Sequence, residues 1–308
     1  MTDGRTSPVD ALVDAFHARH PIRAGSLIVT VYGDAVAPRG GELSTGSLIA
    51  LLSALRIGDG LVRTALTRLV QDGWLDRTRQ GRNSHYRLSE KGRGVFDAAT
   101  RRIYFAAPGQ WDGGWSLAVL DGTGEARTRT RARLEDWGFG ALAPNVMLRP
   151  NGAGSGAEAP LDAAPGLVRL AATGADPHEA RRLAGLVWPL DDLAARYRRF
   201  AGRFAPLAED EATARALDPA EALVVRILLI HEYRRVILRD PLLPRALLPA
   251  DWPGHAARGL CGRLYDAIRA ASERWIDEHG LNSGGPLPSP DAAFARRFRD
   301  IAAGSGGA

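Results

Sequence analysis

The sequence is poor in several things that would announce a function. It has one cysteine, Cys261, among 308 residues, so no internal disulfide can form, and an intracellular, cytoplasmic setting is expected. No run of about 18 apolar residues occurs, which excludes a membrane-spanning helix. Residues 1–23 lack the charged, apolar and small-residue regions of a signal peptide. The seven histidines and Cys261 fall in no zinc-binding spacing; His255 and Cys261 lack two further ligands. There is no GxxxxGK[ST] run, no dinucleotide-binding glycine pattern before a helix, and no GxSxG nucleophile setting. No cofactor, no metal and no enzymatic activity is therefore expected. Lysine is almost absent too: Lys91 is the only one, so the other basic residues are arginines and a single Arg says little.

What is present is an uneven distribution of charge. Residues 23–103 hold 13 Lys or Arg against 7 Asp or Glu, whereas residues 104–308 balance at 25 each. The net charge of +5 thus sits in one segment, the footprint expected of a surface that meets phosphates.

That segment has an ordered pattern. Ser26–Tyr32 predicts a helix, and a Gly-rich loop follows at 37–42. Leu48, Leu51, Leu52 and Leu55 have helical spacing within 45–55. After the turn Arg56-Ile57-Gly58, Asp59 is a candidate N-cap for a third helix that ends at Gly73. Leu61, Val62, Ala65, Leu66, Leu69 and Val70 form an apolar stripe on this helix. Arg63, Thr64, Thr67, Arg68 and Gln71 face the other way. Such a face suits a major groove, where Arg pairs with guanine and Thr meets a thymine methyl. Residues 74–88 read as a β-hairpin around a glycine turn, bearing Arg77, Arg79, Arg82 and Arg87 with Asn83, Ser84 and His85 near its tip. As a wing these would contact phosphates or a minor groove. Three helices and a basic hairpin give a winged helix-turn-helix, and Tyr86 is a packing residue.

The fold class expected is α+β: an N-terminal winged helix-turn-helix, a central ferredoxin-like α/β domain and a C-terminal helical domain. The segments are 1–22 as an arm with a short amphipathic helix at 8–20, 23–103 as the DNA-binding domain, 112–190 as the ferredoxin-like domain with a flexible loop at 149–166, 191–279 as the helical domain, and 280–308 as a loop or disordered tail. The central assignment rests on strands at 115–120, 140–148 and 167–172, helices at 127–137 and 177–186, and a short strand near Val187. Asp218-Pro219-Ala220-Glu221 has the form of a helix start, and Asp240-Pro241 that of a stop.

Two groups of residues, in order and far apart, resemble one family. The first comprises Val62 to Leu69, Asp72-Gly73-Trp74-Leu75, Gly81-Arg82, Ser84 and Tyr86-Arg87-Leu88. The second comprises His231-Glu232-Tyr233-Arg234-Arg235, Arg239-Asp240-Pro241, Leu243-Pro244, Leu247-Leu248-Pro249 and Asp251-Trp252-Pro253-Gly254. Together they resemble the PaaX-type repressors of phenylacetate catabolism, over most of residues 23–279. The resemblance implies a homodimeric repressor on double-stranded operator DNA, released by an aryl-acetyl-CoA thioester. It also implies a middle domain with the ferredoxin-like fold of a CRISPR-associated integration nuclease family. His231, Tyr233, Arg234 and Arg235 are candidates for an acyl-CoA-type effector site, although a buried structural histidine is the simpler reading of His231. Two other functions stay open. One is a metal-dependent nuclease using Asp121 at a strand end, which lacks an acidic partner in the sequence. The other is an RNA-binding module.

Overall fold

A computed structural model describes residues 7–19, 21–106, 109–121, 123–152, 167–173 and 176–299. Helices and antiparallel sheets are both present, an α+β composition. The chain falls into two compact units, which do not follow the consecutive segments expected from sequence. The first is assembled from 1–105, 199–235 and 256–308, and the second from 106–198 and 236–255.

The first unit opens with α1 (Pro8–His17), capped by Ser7 and with Val9, Leu12, Val13 and Phe16 buried. The expected arm is thus a packed element. Its ring Phe16 meets His231 edge-on at 5.8 Å, and His17 Nε2 lies 2.8 Å from Leu55 O. Helix α2 (Ala24–Val31) forms despite its β-branched residues, because Leu27, Ile28 and Val31 are wholly buried; packing overrides propensity. It runs on into a π-helical turn, Tyr32–Val36, and stops at Gly40 and Gly41, both at positive φ.

Strand β1 (Glu42–Ser44) leads into α3 (Thr45–Ser53), whose first turn is capped by Ser44 Oγ accepting from Ser47 N. Helix α4 (Asp59–Gln71) is capped by Gly58, not by Asp59 as expected. Asp59 lies in the first turn instead, where a carboxylate complements the helix dipole. The far end is a Schellman turn: Trp74 N donates to Leu69 O and Gly73 N to Val70 O, with Gly73 at φ 72°.

Strands β2 (Leu75–Gln80) and β3 (Asn83–Leu88) make the expected hairpin, and β1 adds to β3, giving the order β1-β3-β2. Ser89 then ties two helix ends together. Its Oγ accepts from Gly92 N to cap α5 (Glu90–Thr100) and donates to Gly73 O behind α4. A Cβ on Gly92 would lie 2.5 Å from Trp74 O, so only glycine permits this approach.

Three long helices contribute to this unit, α8 (Leu190–Glu209) from Arg199, α10 (Pro219–Ile237) to Arg235, and α11 (Pro253–His279) from Ala256, while the short α9 (Glu211–Ala216) lies between α8 and α10 in sequence. Asp218 and Glu221 cap α10 reciprocally, as the sequence predicts. Residues 222–230 of α10 are buried on every face, the mark of a central core helix. The tail departs from expectation. After the short pair β8 (Leu281–Asn282) and β9 (Gly285–Pro286), Leu287, Phe294, Arg297 and Phe298 are buried. Residues 300–308 lie outside the described residues.

In the second unit, β4 (Gly114–Leu120), α6 (Gly124–Asp136), β5 (Gly140–Ala143), β6 (Val146–Pro150) and β7 (Leu167–Thr173) build an antiparallel sheet of order β5-β6-β4-β7. Ala118, Leu120, Leu134, Phe139 and Met147 form its core. The stretch expected as one extended segment at 140–148 is a hairpin, folded at Pro144-Asn145. No strand forms near Val187. That residue ends α7 (Pro177–Val187), and Gly140 sits against it, so close that a Cβ would be 2.3 Å from Val187 Cγ1. The loop expected at 149–166 lies mostly outside the described residues. Where α10 ends, Asp240 accepts from Tyr197 Oη at 2.6 Å and from Leu242 N at 2.7 Å, fixing the bend.

Candidate nucleic-acid interface

Helix α4 rests on the core through Val62, Ala65, Leu66 and Leu69. Leu61, expected in the same stripe, is 42% exposed. The opposite face presents Arg63, Thr64, Thr67, Arg68 and Gln71 to solvent. Thr64 Oγ1 donates to Gly60 O and Thr67 Oγ1 to Arg63 O, one turn back along the helix. Each hydroxyl proton is thereby spent on its own helix, and each oxygen remains able to accept. Among the described residues, the guanidiniums of Arg63 and Arg68 enter no ion pair or hydrogen bond; they form the cationic pair of this face.

The hairpin stands next in the chain and is equally exposed. Gly81 at φ 60° begins its two-residue turn, and Arg82 and Asn83 lie at the exposed tip. Arg79 Nε donates to Gly81 O, and Arg77 donates from Nε and Nη2 to Ser84 Oγ, so both stems are held along the strands. Arg87 is exposed but paired, with Nε and Nη2 both on Glu42 Oε2 at 3.0 and 2.7 Å. Hydrogen bonds from Ser283 and Arg87 hold the Glu42 carboxyl below its usual range, against its burial. His85 is the exception. It is 5% exposed, in the middle strand of the sheet where His85 and Tyr86 are both covered, so it packs and presents nothing to a nucleic acid. Tyr86 is buried as expected, and its carbonyl accepts from Tyr32 Oη at 3.0 Å.

The first unit also holds a charged knot that no sequence pattern singles out. Asp34, in the π-helical turn after α2, accepts from Arg226 Nε at 2.6 Å, Arg297 Nη1 at 3.0 Å, Tyr104 Oη at 2.7 Å and Tyr265 Oη at 2.9 Å. Burial pushes its carboxyl up, but the two guanidiniums and two phenols outweigh that and hold it below the usual range. Arg226 also reaches Glu273, which in turn accepts from buried Arg39. Residues 70 to 263 positions from Asp34 in sequence meet here. An Asp between Tyr-Gly and Ala-Val carries no periodic signal of such a role.

The four effector candidates do not form one exposed site. His231 and Tyr233 are buried core residues. His231 Nδ1 lies 3.0 Å from Thr30 Oγ1, which itself donates to Ser26 O, so Nδ1–H is the donor. Burial, and then the charges of Arg234, Arg235 and Arg19, push the His231 pKa down to about 3. Arg234 is half-buried and donates from Nη2 to Ser26 O and Oγ, both at 2.7 Å. Only Arg235 is exposed, 3.7 Å from Glu232. The motif's Glu232 also holds Arg19 at 2.7 Å and Arg203 at 3.4 Å. These residues bind the ends of α1, α2, α8 and α10 to each other. Asp121 is exposed at the end of β4, and among the described residues no group of three or more His, Cys, Asp or Glu could hold a metal ion.

Comparison with known proteins identifies the family. Residues 23–92 match the family model described as PaaX-like protein, and residues 188–278 match that of the PaaX-like protein C-terminal domain. The chain is 40% identical over 291 residues to the Transcriptional repressor PaaX of Escherichia coli strain K12, covering 90% of each protein. Among solved structures it is similar to the Uncharacterized protein Rv0674 from Mycobacterium tuberculosis, with 30% identity, a TM-score of 0.48, and coverage of 74% of this chain and 88% of that one. On the two family models and the 40% identity over 90% of both proteins, the chain belongs to the PaaX-like protein family.

Proposed function

We propose that this protein is a ligand-responsive transcriptional repressor of aromatic-acid, phenylacetate-type catabolic genes. Its N-terminal segment acts as a winged helix-turn-helix, with α4 as recognition helix in the major groove and the β2–β3 hairpin as the wing. The observation that carries this reading is the solvent-facing row Arg63, Thr64, Thr67, Arg68 and Gln71 on a helix whose other face is core, followed directly by an arginine-bearing hairpin. The row supplies base-edge donors and methyls; Arg77, Arg79 and Arg82 supply phosphate contacts, which add affinity without sequence choice. Kinship with a transcriptional repressor over 90% of both chains supports the regulatory role.

In this reading the repressor is a homodimer, which places two recognition helices on half-sites a whole number of helical turns apart. The central unit has the ferredoxin-like plan: the strand order β5-β6-β4-β7 supports it, being the order of a split βαβ sheet. Release requires an effector, an aryl-acetyl-CoA thioester, that favours the conformer with poor DNA affinity.

The test is fluorescence anisotropy of the protein on a duplex from its own upstream region, with phenylacetyl-CoA, free CoA or phenylacetate added. Release by the thioester alone is expected. A complex unmoved by all three discards the effector, and equal binding of duplex RNA discards the operator reading.

A further inference from the structure

Four arginines are buried among the described residues: Arg39, Arg226, Arg258 and Arg297. Three are neutralised. Arg39 meets Glu273 and Asp277, Arg226 meets Asp34 and Glu273, and Arg297 meets Asp34. Arg258, near the start of α11, is 7% exposed and enters no ion pair among the described residues, and its Nε and Nη2 find no hydrogen-bond partner. An uncompensated buried cation is among the costlier things a fold can carry, and a buried donor without acceptor calls for an explanation.

The two unpartnered atoms are not a random pair. Nε and Nη2 form one edge of the guanidinium, the edge that grips an oxyanion side-on with two parallel hydrogen bonds. The same chain uses that edge elsewhere on a carboxylate: Arg87 offers it to Glu42, and Arg215 offers it to Glu211. Arg258 is also within reach of the surface, since Ala256 is exposed and Gly259 half-buried beside it on the same helix.

We propose that Arg258 is an anion-binding residue whose Nε/Nη2 edge receives the carboxylate or phosphate oxygens of a small-molecule ligand. The inference rests on the protein being ligand-responsive, and it moves the charge-recognising contact from the 231–235 motif to α11. The bound oxyanion supplies the counter-charge that the fold omits, so binding at this residue stabilises the liganded form.

The experiment uses the full chain as wild type, Arg258→Met and Arg258→Lys, titrated calorimetrically with phenylacetyl-CoA, CoA, phenylacetate and inorganic phosphate. At least one probe binds the wild type and binds Arg258→Met ten-fold or more weakly. Arg258→Lys, which keeps the charge but not the fork, falls between. Loss confined to CoA, its thioester and phosphate identifies the phosphate as the anchor; loss confined to phenylacetate identifies the carboxylate. Without ligand, Arg258→Met melts at or above the wild type, because an unpaired buried charge has been removed. Binding of none of the probes, equal affinity in all three proteins, or a clear drop in melting temperature for ligand-free Arg258→Met overturns the proposal. If the thioester still releases DNA from Arg258→Met as from wild type, the effector reading stands and this site falls. If the thioester has no effect on wild type while phosphate or phenylacetate binds through Arg258, the reverse holds.

Discussion

Arg226 donates from Nε to Asp34 Oδ2 at 2.6 Å, and both side chains are completely buried, 192 residues apart in sequence. This contact joins the turn after α2 to the central helix α10. Replacing Asp34 by Asn leaves Arg226 and Arg297 without their shared carboxylate. Breaking one partner of a buried pair typically costs about 3–5 kcal/mol. Asp34→Asn is therefore expected to lower the urea midpoint strongly, with little change in slope. Unfolding within about 1 kcal/mol of the wild type would show the knot to be dispensable.

Acid sensitivity follows from His231. Its folded pKa is pushed down to about 3 from an ordinary 6.5, so the folded state keeps it neutral while the unfolded chain takes up a proton. Stability from this group is therefore complete above about pH 6.5 and declines as pH falls towards 3, by up to about 1.4 kcal/mol per pH unit. His231→Gln keeps a donor for Thr30 without a titrating ring. Denaturant unfolding at pH 7.5, 6.5 and 5.5 is expected to show a shallower acid decline in the variant. Parallel pH profiles would contradict it.

The tail is expected to be part of the first unit's fold. Arg297 reaches Asp34, Arg39 donates to Pro288 O, and Ser283 N donates to Glu42 Oε1 beside the hairpin. Truncation after Gly280 removes buried Leu287, Phe294 and Phe298 as well. Loss of a cooperative thermal transition is expected. A fully cooperative melt in the shorter protein would refute this role.

Much of the candidate surface on α4 and the hairpin is legible in sequence, because local signals govern it. The apolar period of α4, Gly73 at its end and the glycine turn of the hairpin each act within a few residues. Where those signals fail, distant contacts decide. His85 lies in a hairpin of mostly exposed residues, yet pairing of β3 with β1 as well as β2 covers it. The tail is rich in Gly, Ser and Pro between 283 and 290 and so reads as loop, but Phe294, Arg297 and Phe298 find the core of a unit begun at the other terminus. The 231–235 motif shows the same limit: its residue types fit a phosphate site, and the structure spends His231 and Arg234 on Thr30 and Ser26. The strand order of the central sheet is likewise set by pairing that no single segment encodes.

Recognition and phosphate contacts should separate experimentally. Arg82→Ala, at the hairpin tip, is expected to weaken binding to all duplexes alike and to reduce the slope of log affinity against log salt by about 0.9. A sequence-selective loss in Arg82→Ala would place base reading in the hairpin instead.

If α4 reads the operator, Arg63 and Arg68 carry sequence preference. The most direct measurement compares wild type with Arg63→Ala/Arg68→Ala on the upstream duplex and on a scrambled duplex of the same length, by anisotropy at fixed salt. The wild type is expected to prefer the upstream duplex and the double variant to lose that preference, each arginine contributing about 1–3 kcal/mol of discrimination, with the melting temperature unchanged. A double variant that keeps the wild-type preference would rule out α4 as the recognition helix, and recognition would have to lie on another surface.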